Sequence, residues 1–144
     1  MRVDNKKVKL IKKIYYKKKL IAILIPLEVI KSTKKLNFIT SVNNSLQIGI
    51  DKRESKSCVK SHIHKFCKKI ILDSQEFIYI ISGDIKVDLL NTQNRMIKTI
   101  ILSSGDGILL ISLAHRIYYL KETHAIYIKQ GPCLNLAKSK LYLE

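Results

Sequence analysis

The sequence predicts an all-β fold. Segments of four to eight residues rich in Ile, Val, Leu and Tyr recur along the 144-residue chain, which contains 24 Ile and no Trp. Asn, Ser, Gly and Asp separate these segments, as they do between the strands of a sandwich or a barrel. The length corresponds to one domain with a full hydrophobic core.

The elements follow in order from an N-terminal arm, residues 1–19, which holds nine basic residues. Its apolar residues have loosely helical spacing among the lysines, and an extended arm fits the pattern equally well. A single domain is predicted over residues 20–144. Ten strands are expected in it, a number that implies closure into a barrel, at residues 20–25, 37–40, 46–51, 69–72, 76–82, 84–90, 96–103, 107–111, 116–121 and 125–130.

Turn chemistry supports these divisions. Ser82-Gly83-Asp84 separates two β-branched runs and predicts a tight hairpin. The segment from Ser103 to Gly107 predicts another turn before an apolar run. Gly131-Pro132 ends the last predicted strand, so Lys129 beside it is interpreted as part of a turn, although a lysine there could contact an anion.

The charge of the chain predicts an affinity for anions. Its net charge is +16, and 23 of the 27 basic residues are Lys. Because reading of base edges depends largely on Arg, a specific nucleic-acid partner is not expected. The many Lys and Ile also fit an AT-rich coding sequence with a solvated basic surface, so a dedicated polyanion site and a plain surface both remain open.

Several protein classes are disfavoured by the sequence. The longest apolar stretch, residues 20–30, contains Pro26 and Glu28, whereas a membrane-spanning helix needs roughly 20 apolar residues. Three cysteines without a CxxC pair argue against a disulfide framework. No secretory signal is recognised, so a cytoplasmic protein is expected.

Three of the four histidines and one carboxylate form the constellation most able to carry chemistry: His62, His64, Glu76 and His115. In a strand, His62 and His64 would point to the same side. Glu76 and His115 stand at the starts of two predicted strands, where a barrel mouth gathers side chains. Three imidazoles and a carboxylate suit a divalent Fe, Mn, Zn, Ni or Co ion. Alternatively, they are polar mouth residues of a barrel without a metal.

Tyrosines and lysines near this constellation are the candidates for a role beside the metal. Tyr79 and Tyr119 are the candidate catalytic residues, because a phenol can act as a general acid. A substrate-binding role is predicted for a second group: Lys60, Lys65, Tyr118 and Tyr127. The lysines would draw an anionic ligand toward the opening. A plain core and rim role for the tyrosines remains the alternative.

The constellation resembles the two motifs of the cupin superfamily. The first, HxH followed by Glu and Gly, is matched by His62-Ile63-His64, Glu76 and Gly83; the second is matched by Gly105 ten positions before His115. The chain departs from the pattern in the eleven residues between His64 and Glu76 and at the positions usually held by Gly, Pro, Gly and Asn, which are Lys56, Ile111, Leu113 and Tyr119.

The resemblance covers residues 46–130 and implies a double-stranded β-helix, or jelly-roll barrel, that pairs into a homodimer. Two functions follow from it. One is a metal-dependent isomerase, epimerase or oxygenase of carbohydrate metabolism, acting on a small anionic metabolite such as a sugar or sugar nucleotide. The other is a non-catalytic small-molecule or carbohydrate binding module in which the barrel or its metal is structural.

Overall fold

The computed structural model describes residues 10–132, 135 and 139–143. It confirms the all-β class, with about 42% of the described residues in strands and 5% in helix. The one helix described, α1, spans Leu27–Ser32. The strands are β1 Lys12–Tyr16, β2 Lys19–Ile25, β3 Asn37–Phe38, β4 Gly49–Ile50, β5 Glu76–Ser82, β6 Asp84–Leu90, β7 Met96–Ser103, β8 Gly107–Leu110, β9 Ala114–Tyr119 and β10 His124–Lys129.

The strands form three antiparallel sheets. A five-stranded sheet has the order β1-β2-β8-β5-β10, a three-stranded sheet has the order β7-β6-β9, and β3 pairs with β4. In the part of the chain that the structure describes, hydrogen bonding does not close these strands into a barrel. The predicted closure is therefore replaced by a layered arrangement of open sheets.

Three long bent strands connect the two larger sheets. Each bent strand consists of two consecutive strands, one in each sheet. The three bent strands are β5 with β6, β7 with β8, and β9 with β10. The ladders continue through the bends, where Gly105 N–H donates to Ile80 O at 2.7 Å and Leu120 N–H donates to Asp84 O at 2.9 Å. The middle of the molecule is thus a three-stranded ribbon folded over on itself.

Gly83 lies at the bend of the central ribbon strand and not in a hairpin. Its φ is +89°, and β5 and β6 on either side of it pair with other strands and not with each other. The hairpin predicted for Ser82-Gly83-Asp84 is therefore wrong. A glycine and polar neighbours mark a change of chain direction, but which strand pairs across it depends on distant residues.

Two hydrophobic clusters hold the layers together. The first lies between the two larger sheets and includes Ile78, Ile80, Ile85, Val87 and Leu102. The second covers the outer face of the five-stranded sheet, beneath α1 and the β3–β4 pair. Strand β8 contributes to both clusters and is buried at every position, which explains why its sequence is continuously apolar and not alternating.

Nine of the ten predicted strands overlap a strand of the structure, and three differences remain. Residues 69–72 form no strand; they belong to an exposed segment, residues 51–74, in which no helix or strand occurs. Residues 12–16, predicted as part of an arm, form edge strand β1, whose Ile14 is buried against the core. Residues 1–9 of that arm lie outside the described residues. Helix α1 was not expected, because a helix of six residues is too short to produce a clear helical periodicity in the sequence.

Within the described residues, no helix has both the length and the apolar character needed to cross a bilayer.

Candidate inter-sheet binding cleft

A cleft of about 760 Å³ opens between the two larger sheets. Glu76 at the start of β5, Leu90 at the end of β6, His115 near the start of β9 and Lys129 at the end of β10 all line it. Several strand ends therefore converge at one mouth, which is where binding sites of sandwiches and barrels are usually built. Tail residues, among them Lys140 and Tyr142, form part of the rim.

Glu76 is the central charged group of this cleft. It shares one face of β5 with the buried Ile78 and Ile80, so its side chain points between the sheets. Its side chain is only 13% exposed, with Oε2 3.5 Å from His115 Nε2 and Oε1 3.5 Å from Lys129 Nζ. Strand pairing sets this contact, because Lys129 lies directly opposite Glu76 in the β5–β10 ladder.

The pKa of Glu76 reflects two opposing effects. Burial by itself raises the pKa, while the hydrogen bond from His115 and the positive charge of Lys129 lower it. The effects of His115 and Lys129 prevail over that of burial, so the pKa of Glu76 lies below its ordinary value of 4.5. The residue is a carboxylate at neutral pH and can accept hydrogen bonds from a ligand.

The cleft has an excess of positive charge. Among the described residues that line it, Lys129 and Lys140 are cationic and Glu76 is the one carboxylate; Arg116 also borders it, with its guanidinium bonded to Tyr118 on the outer face of the three-stranded sheet. Gln130 adds a polar group, since its Oε1 accepts a hydrogen bond from Gln75 N–H at 2.7 Å. The Gln130 Nε2 atom is buried and has no hydrogen-bond partner among the described residues. A ligand that brings an acceptor oxygen would satisfy it.

Two tyrosines link the strands beside the cleft. The hydroxyls of Tyr119 on β9 and Tyr127 on β10 lie 2.9 Å apart, which joins the edge strands of the two sheets. Burial, followed by the hydrogen bond with Tyr119, raises the pKa of Tyr127 well above its ordinary value. The Tyr127 phenol therefore remains protonated at neutral pH and can donate a hydrogen bond.

The structure brings two of the four predicted metal ligands together. Glu76 and His115 meet in the cleft, as described above. His62 and His64 lie near each other, with ring centroids 5.3 Å apart, but both are in the exposed segment and not on a strand. Among the described residues, no group of three or more His, Cys, Asp or Glu side chains could hold a metal ion. The four residues thus occupy two separate places.

The remaining predicted residues lie outside the cleft. Tyr79 alternates with Ile78 and Ile80 and so lies on the face of β5 opposite Glu76. Tyr118 lies on the outer face of the three-stranded sheet, where Lys86 Nζ is 4.0 Å from its ring centroid and Arg116 donates to its hydroxyl. Lys60 and Lys65 are exposed in the irregular segment, outside the residues that line the cleft.

Sequence reasoning missed Arg116 and Gln130, which border the cleft, and it preferred a turn role for Lys129 over contact with an anion. For Lys129 the signal was present, because Ala125, Tyr127 and Lys129 occupy alternating positions and must share one face of a strand. Ala125 packs against the inter-sheet core, which places the other two on the inner face. Interpreting Lys129 as a turn residue hid this alternation.

Comparison of the chain with protein-family models, with curated proteins and with solved structures found no match. The function of the protein therefore has to be inferred from the geometry of the cleft.

Proposed function

We propose that this protein binds a small anionic metabolite, such as a sugar acid, a sugar phosphate or a sugar nucleotide, in the inter-sheet cleft. The observation that carries the proposal is the largely buried Glu76 carboxylate in this cleft, with Lys129 Nζ 3.5 Å from its Oε1 and with Lys140 also lining the cleft. Lys129, with Lys140 at the rim, supplies charge for the anionic group. Glu76 accepts hydrogen bonds from hydroxyls, and Gln130 Nε2, which has no partner among the described residues, donates one.

We propose further that the fold is a double-stranded β-helix of the cupin type. The three bent strands that pass from one sheet to the other support this assignment, since two packed sheets joined in this way are the framework of jelly rolls. The meeting of Glu76 and His115, one residue from each motif, also supports it.

A metal-dependent enzyme is the second proposal, and the contact between Glu76 and His115 favours it. This pair supplies one carboxylate and one imidazole, whereas catalytic zinc sites use three protein ligands. The described residues do not fit a four-ligand centre, because His62 and His64 lie in the exposed segment. The binding function needs no metal and has no step that depends on one.

Ligand binding is tested by calorimetry and by thermal shift with glucuronate, glucose 6-phosphate and UDP-glucose, with uncharged glucose as the reference. We expect at least one of the anionic compounds to bind and to raise the melting temperature, as any ligand of the folded state does. Lys129→Met should weaken that binding about tenfold, because the loss of one charged hydrogen bond costs about 1.5 kcal/mol.

Lys31→Met is the matched control, since Lys31 is an exposed lysine in the last turn of α1 on the other side of the five-stranded sheet. It should bind as the wild type does. Glucose binding as tightly as the anions, or equal affinities for wild type and Lys129→Met, would contradict the proposal.

A further inference from the structure

The exposed segment, residues 51–74, is a surface loop held at both ends. Ile50 before it is buried and paired in β4. At the other end, Asp73 accepts a hydrogen bond from Ser45, and the buried Gln75 is bonded to Gln130. Every residue between these anchors is exposed. The loop therefore stands out from a fixed base and does not contribute to the core.

The middle of this loop carries a concentration of exposed apolar side chains. Phe66 is 99% exposed, Leu72 94% and Ile63 89%. Val59, Ile70 and Ile71 are exposed as well. Single apolar residues are common on protein surfaces, but a run of six within fourteen positions marks an interaction surface.

Lysines are interleaved with these apolar residues. Five of them fall between positions 55 and 72: Lys56, Lys60, Lys65, Lys68 and Lys69. The same stretch contains no Asp or Glu. A surface that is both apolar and basic is complementary to a partner that has an anionic outer layer and an apolar layer under it.

We propose that residues 55–72 dock on an anionic lipid surface. The apolar side chains enter the boundary between headgroups and acyl chains, while the lysines extend back to the phosphates. A polynucleotide fits less well, because single-strand binding relies on several stacked aromatic rings and on Arg. This stretch has one aromatic ring outside its histidines, Phe66, and no Arg. The proposal is independent of ligand binding in the cleft.

Vesicle co-sedimentation tests the proposal directly. We expect the full chain to bind vesicles of phosphatidylcholine with phosphatidylglycerol at least about tenfold more tightly than vesicles of phosphatidylcholine alone, since each lysine near an anionic surface adds to the attraction. High salt should remove most of this difference. Equal binding to both vesicles, or no binding, would overturn the proposal.

Two pairs of variants separate docking by the loop from general attraction by a basic protein. Phe66→Ser with Leu72→Ser should lower binding to anionic vesicles about tenfold through lost apolar burial, while Val42→Ser, at a residue 90% exposed outside the loop, should not. Lys65→Glu with Lys68→Glu should also lower it, and more than Lys31→Glu with Lys34→Glu. If the loop variants and their controls bind alike, or if RNA binds in preference to the vesicles, the proposal fails.

Discussion

Glu76 is the residue at which burial and charge compete most directly in this molecule. Its side chain is largely covered, yet His115 and Lys129 stabilise its charged form enough to lower the pKa. A group whose pKa is lower in the folded state stabilises the fold above its unfolded pKa. Its contribution is present in full above 4.5 and is lost as the pH falls through the lowered value.

We therefore expect Glu76→Gln to lower the free energy of unfolding by about 1 kcal/mol at pH 7, because Lys129 and His115 lose a charged partner. The difference from wild type should shrink as the pH falls below 4.5, where the wild-type carboxylate also becomes neutral. Urea unfolding across this pH range measures both quantities.

Glu28→Gln, which changes an exposed glutamate in the first turn of α1, controls for the loss of a surface carboxylate. Asp73 and Asp84 also have lowered pKa values, but they are present in both proteins and cancel in the comparison. A Glu76→Gln difference that is the same at all pH values would show that the ionisation of Glu76 does not stabilise the fold.

The four-ligand metal site stays a prediction, and it has its own test. If His62, His64, Glu76 and His115 bind one ion together, protein purified without chelator should contain stoichiometric metal. His62→Ala and His115→Ala should then each abolish it. His124→Ala is the matched control, because His124 lies outside the predicted set and bonds to Ser82. Retention of metal by His62→Ala would rule out the joint site.

At the level of the elements, the bend between β5 and β6 depends on Gly83. Its φ of +89° is a conformation that other residues adopt only with strain. A Cβ atom added there would clash with the carbonyl oxygen of Glu122 and would lie 2.5 Å from Thr123 Oγ1. The two ribbon strands therefore approach too closely at this bend for any side chain.

Gly83→Ala should accordingly lower the free energy of unfolding by about 2 kcal/mol or more, since backbone strain and a clash with backbone add together. Gly131→Ala is the matched control, because none of the residues that the structure describes comes within 4 Å of a Cβ added at Gly131. Its stability should stay within about 0.5 kcal/mol of wild type. Chemical denaturation compares the two, and a neutral Gly83→Ala would show that the bend relaxes easily.

At the level of the whole molecule, the predicted homodimer concerns the edges of the five-stranded sheet. Strand β10 forms one edge and carries the exposed Ile126 and Ile128. Such an edge can pair with another strand unless charge protects it. We expect sedimentation at micromolar concentration to give twice the 16.6 kDa monomer mass. Ile128→Lys should shift the equilibrium to monomer, whereas Lys31→Met should not, and a wild-type monomer would refute the prediction.

The fold could be predicted from the sequence as far as local patterns reach. Strands β5, β6 and β7 begin and end where expected, because alternating or continuous apolar runs and polar turns are properties of neighbouring residues. The prediction of a strand at 69–72 was wrong, because a short run such as Lys-Ile-Ile-Leu forms a strand only if a partner strand lies beside it. Strand β1 was missed for the same reason, since its place is set by pairing with β2.

By itself, the sequence determined the all-β class, the positions of most strands and the basic character of the chain, because these depend on composition and short-range periodicity. Only the tertiary structure decided that Gly83 bends a strand between two sheets, that Lys129 and His115 flank Glu76, and that His62 and His64 lie in an exposed loop. Pairing and packing between residues far apart in the chain control all three, and no local pattern specifies them.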